Sequence, residues 1–392
     1  MDLNLLIDSE SYFQKIREHK NIVIYGAGNK AKITVKLLEQ KNIIPVAICD
    51  GNKALWGTEF LGKYRIISYE EMKKQFDQYY ILICTTINTA VEIIKELREK
   101  GETSSLLPLC NLFKVDHHLL ETQEVMVNCN RYAEVYNVLE DDLSKQILVE
   151  TINSKITGNL MPLFERMDGE TFFDKDLLGP ACHKEVYVDA GAYTGDTLCR
   201  FIAYSGGLYE KIIAFEPDEA NFDALSKFVR YARLSNVRIE NVGLWSNKMN
   251  KRLYTISDNY EILYENTNLF VELQDTMDNC RFYQCSKKGL SLNYRELTTD
   301  SLDHMLKDEC PTLIKINALA ADLPILQGCR ETLLRCVPKI VMEYGVRPEY
   351  LLGEIEFLKE LNVGYRFYLR QKNIFGDCKT ILYALPNKRE DL

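Results

Sequence analysis

The chain has 392 residues, 46% of them hydrophobic and 27% charged, with a formal net charge of −9. That length suffices for two domains with separate cores, and the mildly acidic balance, with no basic tract or RNA-binding aromatic signature, argues against a nucleic-acid partner. No apolar run approaches the length that spans a bilayer, and the start Met1-Asp2-Leu3-Asn4 lacks a basic segment followed by an apolar one, so a cytoplasmic location with no membrane partner is expected.

In chain order, residues 5–20 predict a short amphipathic helix and residues 21–25 a buried strand. Gly26-Ala27-Gly28-Asn29-Lys30-Ala31 follows, then a helix to about residue 40 and a strand over 43–49 that ends at Asp50. This is G-x-G-x-x-A with an acid at the tip of the second strand, a first Rossmann-like unit. Gly26, Gly28 and Asp50 are candidates for holding a nucleotide or nucleotide-sugar, with Lys30 where a phosphate would sit. The third glycine is alanine and nothing resembling a hydride-transfer site follows, so the alternative is a structural unit that docks or orients something. A turn-rich patch (57–62), a helix (69–76), a strand (80–85), a helix (89–100) and a short strand (106–112) complete a domain over residues 1–115. Residues 116–178 read as a helical connector, in which His117-His118 is solvated or capping.

The domain predicted over 179–392 opens on Val186-Tyr187-Val188-Asp189-Ala190-Gly191-Ala192-Tyr193-Thr194-Gly195-Asp196-Thr197, a buried strand, tight loop and helix start. A second buried strand, 211–215, ends at Glu216-Pro217-Asp218, and a carboxylate there can accept hydrogen bonds from both hydroxyls of an adenosine ribose. Charge selects the cofactor. Asp189 and Asp196 flank the loop and would repel a pyrophosphate, but they suit the ammonium and sulfonium of S-adenosylmethionine (SAM). The plainer reading is a strand-to-helix turn whose acids cap the helix.

After a helix over 219–234, residues 236–244 predict a strand that includes Gly243. Residues 250–298 read as an insertion over the pocket mouth, of the kind that selects substrates. Further strands (311–318, 339–344), helices (322–334, 350–361) and a closing hairpin (365–370 with 380–385) follow. The fold class is therefore α/β, two Rossmann-like domains, the second a parallel sheet closed by an antiparallel hairpin. The twelve cysteines are scattered through apolar runs and read as core thiols, with no metal site expected.

Over roughly residues 138–392 the sequence resembles the FkbM-type methyltransferases, in particular those with an N-terminal Rossmann-like domain. The resemblance rests on Leu139-Glu140-Asp141-Asp142-Leu143-Ser144, on Tyr187 to Thr197, on Ala214-Phe215-Glu216-Pro217-Asp218 with Asn221, and on Asn241-Val242-Gly243-Leu244-Trp245. Leu302-Asp303, Leu313-Ile314-Lys315-Ile316, Leu326-Gln327-Gly328, Phe367-Tyr368-Leu369-Arg370 and Leu382-Tyr383-Ala384 continue it. It implies a class I SAM-dependent methyltransferase acting on an oxygen of a sugar or other small molecule; the partners expected are that small-molecule or sugar acceptor and a second copy of the chain in a homo-oligomer. Asp189 is expected near the methionine ammonium and Asp218 and Asn221 near the adenosine edge. Gly191, Tyr193, Gly195, Asp196, Thr197, Glu216, Pro217 and Gly243 complete the expected cofactor contacts.

Departures cluster on the acceptor side. Where the family places acids after the lysine, this chain has Asn317 and Leu319, and only Asp322 keeps a carboxylate. The family's tyrosine-histidine pair is Tyr344-Gly345, and the histidine after Leu369-Arg370 is Gln371. Asn317, Asp322 and Tyr344 are the remaining catalytic candidates, with Glu343 and Lys315 as orienting groups. Each also has a bland reading as cap, ion-pair partner or pocket wall.

Overall fold

The computed structural model describes residues 3–85, 87–102, 107–108, 120–256, 269–272, 292–318, 321–347, 349–374 and 377–387. In the first unit, β1 (Ile22–Tyr25), β2 (Ala47–Cys49), β3 (Glu59–Phe60), β4 (Tyr64–Ile67), β5 (Tyr80–Ile83) and β6 (Leu107–Pro108) form one sheet in the order β3-β4-β2-β1-β5-β6. All its pairs are parallel except β3 with β4. Alternate strand residues feed opposite faces, as the period of two requires. Ile22, Ile24, Ile48 and Leu82 pack with Val35 and Leu38 of helix Asn29–Gln40, while Val23, Ala47, Ile81 and Ile83 pack with Met72, Ile94 and Leu97.

Two details differ from the sequence expectation. β2 starts at Ala47, past Pro45, which has no backbone donor for the ladder. β4 was hidden beside the turn-rich patch: the chain reverses through Leu61 and Gly62, both left-handed at φ 56° and 63°. A left-handed leucine gives no turn signal in the sequence. His117 and His118 lie outside the described residues.

Five helices follow, Thr122–Val127, Cys129–Val138, Asp142–Thr157, Met161–Glu165 and Lys175–Leu178. The longest is capped by Asp141, whose side chain accepts from Ser144 N, and ends at Gly158 (φ 74°). Its apolar residues Ile147, Leu148, Ile152 and Ile156 enter the core shared with the second unit.

That unit contains β7 (Val186–Ala190), β8 (Lys211–Phe215), β9 (Val237–Glu240), β10 (Gly243–Leu244), β11 (Met249–Ile256), β12 (Leu269–Glu272), β13 (Leu292–Asp300), β14 (Leu313–Ile316), β15 (Lys339–Glu343), β16 (Tyr365–Ile374) and β17 (Asp377–Pro386). Seven of them form the main sheet, β16-β17-β15-β14-β7-β8-β9, parallel except for β17, which runs antiparallel to both neighbours. The doubly wound sheet closed by an antiparallel hairpin is thus present.

The predicted strand 236–244 is corrected to two. β9 stays in the main sheet, whereas β10 joins β11, β12 and β13 in a separate four-stranded sheet. The break falls at Asn241, whose Nδ2 donates to Glu216 O at 2.8 Å and Pro217 O at 3.2 Å. The predicted helix 322–334 is likewise two, Asp322–Gln327 and Arg330–Cys336. They part at Gly328, where a Cβ would lie 2.2 Å from Trp245 O. The cysteine reading also needs correction: Cys49, Cys84, Cys329 and Cys378 are buried thiols, but Cys310 and Cys336 form a disulfide. Among the described residues no helix is long and apolar enough to cross a membrane.

Candidate active site

β7 and β14 are neighbours in the main sheet, yet the chain leaves them in opposite directions, to β8 on one side and to β15 on the other. Such a divergence opens a crevice at the carboxyl ends of the strands. Here it is floored by Gly191 and Asn317. Gly191 has φ +91°, and a Cβ on it would lie 2.3 Å from Asn317 O, so backbone meets backbone only because this residue is glycine. Gly195, at φ +96°, is the N-cap of helix Asp196–Ser205, and its Cβ would lie 2.7 Å from Phe228 Cδ1.

Glu216 is 5% exposed at the tip of β8. Its Oε2 accepts from Tyr193 N and its Oε1 from Asp218 N, both at 2.9 Å, so one carboxylate ties the glycine loop to the loop after β8. Burial raises its pKa against the opposing pull of those backbone donors and Asn221. Oε1 also accepts from Asn221 Nδ2 at 3.5 Å, while Oε2, with the single donor Tyr193 N, retains a lone pair for a ligand hydroxyl. Pro217 offers its carbonyl to Asn241, Asp218 caps helix Glu219–Tyr231 through Asn221 N at 3.0 Å, and Tyr193 is half exposed beside the loop. Asp196 caps Thr197 N at 2.8 Å, and burial raises its pKa.

Asp189 departs from expectation. It is fully buried, and its carboxylate accepts from Lys315 Nζ at 2.8 Å and from Thr197 Oγ1 at 2.6 Å. Lys315, equally buried, also donates to Gly191 O at 2.7 Å. The acid expected to face an ammonium is instead the counter-ion of a lysine inside the sheet. Tyr344 departs too: its hydroxyl donates to Leu351 O within the core, which removes it from the candidates for a base. Gly243 sits in β10, in the other sheet.

The remaining acceptor-side residues are engaged as follows. Asp322, fully buried, accepts from Ala318 N at 2.9 Å and so fixes the loop after β14. Leu319 lies outside the described residues. Glu343 pairs with Lys379 at 2.8 Å, both buried. Gly345 has φ +62°, and a Cβ there would lie 2.5 Å from Leu351 Cδ2. The turn therefore admits no histidine without repacking. Gln371 points into the hairpin core, donating to Cys378 Sγ at 2.8 Å and accepting from Thr380 Oγ1 at 2.9 Å. Asn317 Oδ1 is buried and has no hydrogen-bond partner.

Sequence reasoning missed Glu354. It is fully buried, its Oε2 accepts from Gly345 N at 3.0 Å, and burial holds its pKa well above the usual carboxylate range. The available signal was its helical phase with Leu351, Ile355 and Leu358, which sets it on the apolar face.

The first unit repeats the crevice. Gly26 (φ +114°) faces Thr85 Cγ2 and Cys84 O, at 2.7 and 2.8 Å from its ideal Cβ. Asp50 accepts from Ala27 N and Asn52 N, both at 2.7 Å, and Gly28 is exposed.

The second crevice fits SAM: a glycine cradle, a carboxylate with a spare lone pair on Oε2 at the ribose position, and an unpartnered acceptor at Asn317. Among the described residues no group of three His, Cys, Asp or Glu side chains could hold a metal ion.

Comparison with known proteins agrees with this geometry. Residues 189–367 match the methyltransferase FkbM domain, and residues 18–104 match the C2185-like N-terminal family. The structure of methyltransferase FkbM from Methylobacillus flagellatus KT superposes with a TM-score of 0.65 at 15% identity, covering 98% of this chain and 95% of that one. An rRNA methylase from Streptococcus thermophilus matches at 14% identity and TM-score 0.32, over 54% of this chain and 92% of its own. No curated protein matches the chain.

Proposed function

We propose, from the match of residues 189–367 to the methyltransferase FkbM domain, that the chain moves a methyl group from SAM to a hydroxyl oxygen of a sugar or another small molecule. The observation that carries this reading is the Glu216 carboxylate, held by Tyr193 N and Asp218 N beside the Gly191 cradle. Glu216 would hold the ribose hydroxyls, and Gly191 and Gly195 would let the loop backbone close on the cofactor.

When bound, SAM supplies a methyl group already activated by its sulfonium. The chain is left to hold an acceptor oxygen in line and to exclude water, and positioning alone supplies much of such a rate. Asp322 would set the loop over the acceptor through Ala318 N. Calorimetric titration with SAM and S-adenosylhomocysteine tests the reading. Micromolar binding to the intact chain, lost in Glu216→Ala, is expected; no binding to the intact chain would sink it.

A second reading, a SAM-binding module with little or no turnover, is favoured by the engagement of Tyr344 and Gln371 in the core and by the turn at Gly345. Restoring Asn317→Asp with Leu319→Glu separates the two. A gain in transfer of labelled methyl to sugar nucleotides would mark a weakened enzyme, and no gain with any acceptor a binding role.

A further inference from the structure

A SAM-binding crevice must neutralise or satisfy an ammonium, and the residue expected to do so is already committed. Asp189 is fully buried, and its two oxygens take Lys315 Nζ at 2.8 Å and Thr197 Oγ1 at 2.6 Å. Drawing that carboxylate to a ligand would strand the Lys315 ammonium in the sheet, a change that costs far more than one ligand contact returns.

The neighbouring observation is an acceptor with no donor. Asn317 Oδ1 is buried without a hydrogen-bond partner, and a buried acceptor left unsatisfied destabilises the fold, so a donor from outside the chain would complete it. Asn317 stands at the switch point itself. Its backbone N–H donates to Ala190 O at 3.1 Å, and its carbonyl oxygen is the atom that a Cβ on Gly191 would strike.

We infer that Asn317, and not Asp189, reads the amino-acid head of the cofactor, its amide oxygen accepting from the ammonium, while the Asp189–Lys315 pair acts only to hold the glycine loop. The inference rests on the SAM reading above. It gives Asn317 a cofactor contact in place of the acceptor-side role that the family resemblance suggests for that position. An amide suits this role because Lys315 already balances Asp189, and a neutral acceptor adds no uncompensated charge to the crevice.

The test compares S-adenosylhomocysteine with 5′-methylthioadenosine, which shares the adenosine and an uncharged sulfur but lacks the amino-acid head. Both are titrated calorimetrically into the full chain and into Asn317→Ala, Asn317→Asp, Asp189→Asn and Glu216→Ala. The wild type should prefer S-adenosylhomocysteine. In Asn317→Ala that preference should fall about 10- to 100-fold, the range expected for a hydrogen bond to a charged group, with methylthioadenosine affinity held within about twofold. Asn317→Asp should keep or raise the preference, which keeps the test alive if the alanine variant does not fold. Asp189→Asn should lower the melting temperature and weaken both ligands alike, and Glu216→Ala should abolish both. An unchanged preference in Asn317→Ala, a fall in Asn317→Asp, or equal wild-type affinity for the two ligands overturns the inference while leaving SAM binding intact. No wild-type binding of either ligand overturns both.

Discussion

The chain contains the same crevice twice, and the two copies differ in charge more than in shape. In each, a glycine at positive φ ends the first strand and packs on the strand across the switch point, Gly26 on Cys84 and Thr85, Gly191 on Asn317. In each, the acid at the tip of the second strand ties the glycine loop to the following loop by two backbone donors, Asp50 through Ala27 and Asn52, Glu216 through Tyr193 and Asp218. Among the described residues only the second crevice has a buried ion pair beneath its loop, Asp189 with Lys315, and the further acid Asp196 beside it. The first has Ile24 at the position of Asp189 and Lys30 at the helix start. A backbone shape shared by both leaves charge to decide which ligand each accepts.

That comparison can be broken most severely at Lys315. Lys315→Met leaves Asp189 buried and unpaired, and should cost about 3–5 kcal/mol in urea denaturation, most of it recovered by adding Asp189→Leu. Equal instability of the single and double variants would remove the ion pair as the feature that sets the second crevice apart. Gly191→Ala comes next, at about 2–5 kcal/mol, because strain at positive φ adds to a clash with backbone that cannot turn aside. Gly26→Ala should cost less, about 1–3 kcal/mol, since its backbone contact, Cys84 O at 2.8 Å, is less severe than the 2.3 Å at Gly191 and Thr85 Cγ2 can rotate. If the two alanine variants are equally stable, the crevices are not closed in the same way.

Glu354 sharpens the contrast through pH. Its folded pKa is raised, so the folded state holds this proton more tightly, and its contribution is full below the unfolded value near 4.3 and lost as pH rises through the folded value. Between the two the slope approaches about 1.4 kcal/mol per pH unit. Glu354→Gln should flatten the acid-to-neutral fall in melting temperature; an unchanged profile would show that the group stays ionised in the fold. The smallest effect is expected at Gly28→Ala, within about 0.5 kcal/mol, as a Cβ there meets nothing within 4 Å. A nucleotide bound by the first unit would be weakened by that variant with stability unchanged.

Most of the architecture was legible because buried parallel strands such as Ile22–Tyr25 and Leu313–Ile316 are short apolar runs bounded by turn residues. The glycine loops and the acids after the second strands were legible for the same reason: only those residue types permit the turn. What escaped was set by tertiary partners. Leu61 gives no sign of a left-handed turn, and Asn241 breaks a strand by reaching back to Glu216 O. The partner of Asp189 lies 126 residues away on another strand, so a pair invisible in sequence converted an expected ligand group into a fixed counter-ion. Tyr344 was misjudged similarly, since its hydroxyl is spent on a carbonyl of the next helix.

The hairpin of β16 and β17 has a mechanical consequence. Near its turn, Asn373 Nδ2 donates to Asn88 Oδ1 at 3.1 Å, at the start of helix Ile87–Glu99 in the first unit. Further along, Lys379 grips Glu343 at the tip of β15, and Thr380 O receives Tyr344 N at 2.8 Å. Asn373 is the register partner of Cys378, next to Lys379, so the turn end of the hairpin touches both lobes at once. Any rotation of the first lobe, whatever its ligand, loads the hairpin end that braces the rim of the second crevice.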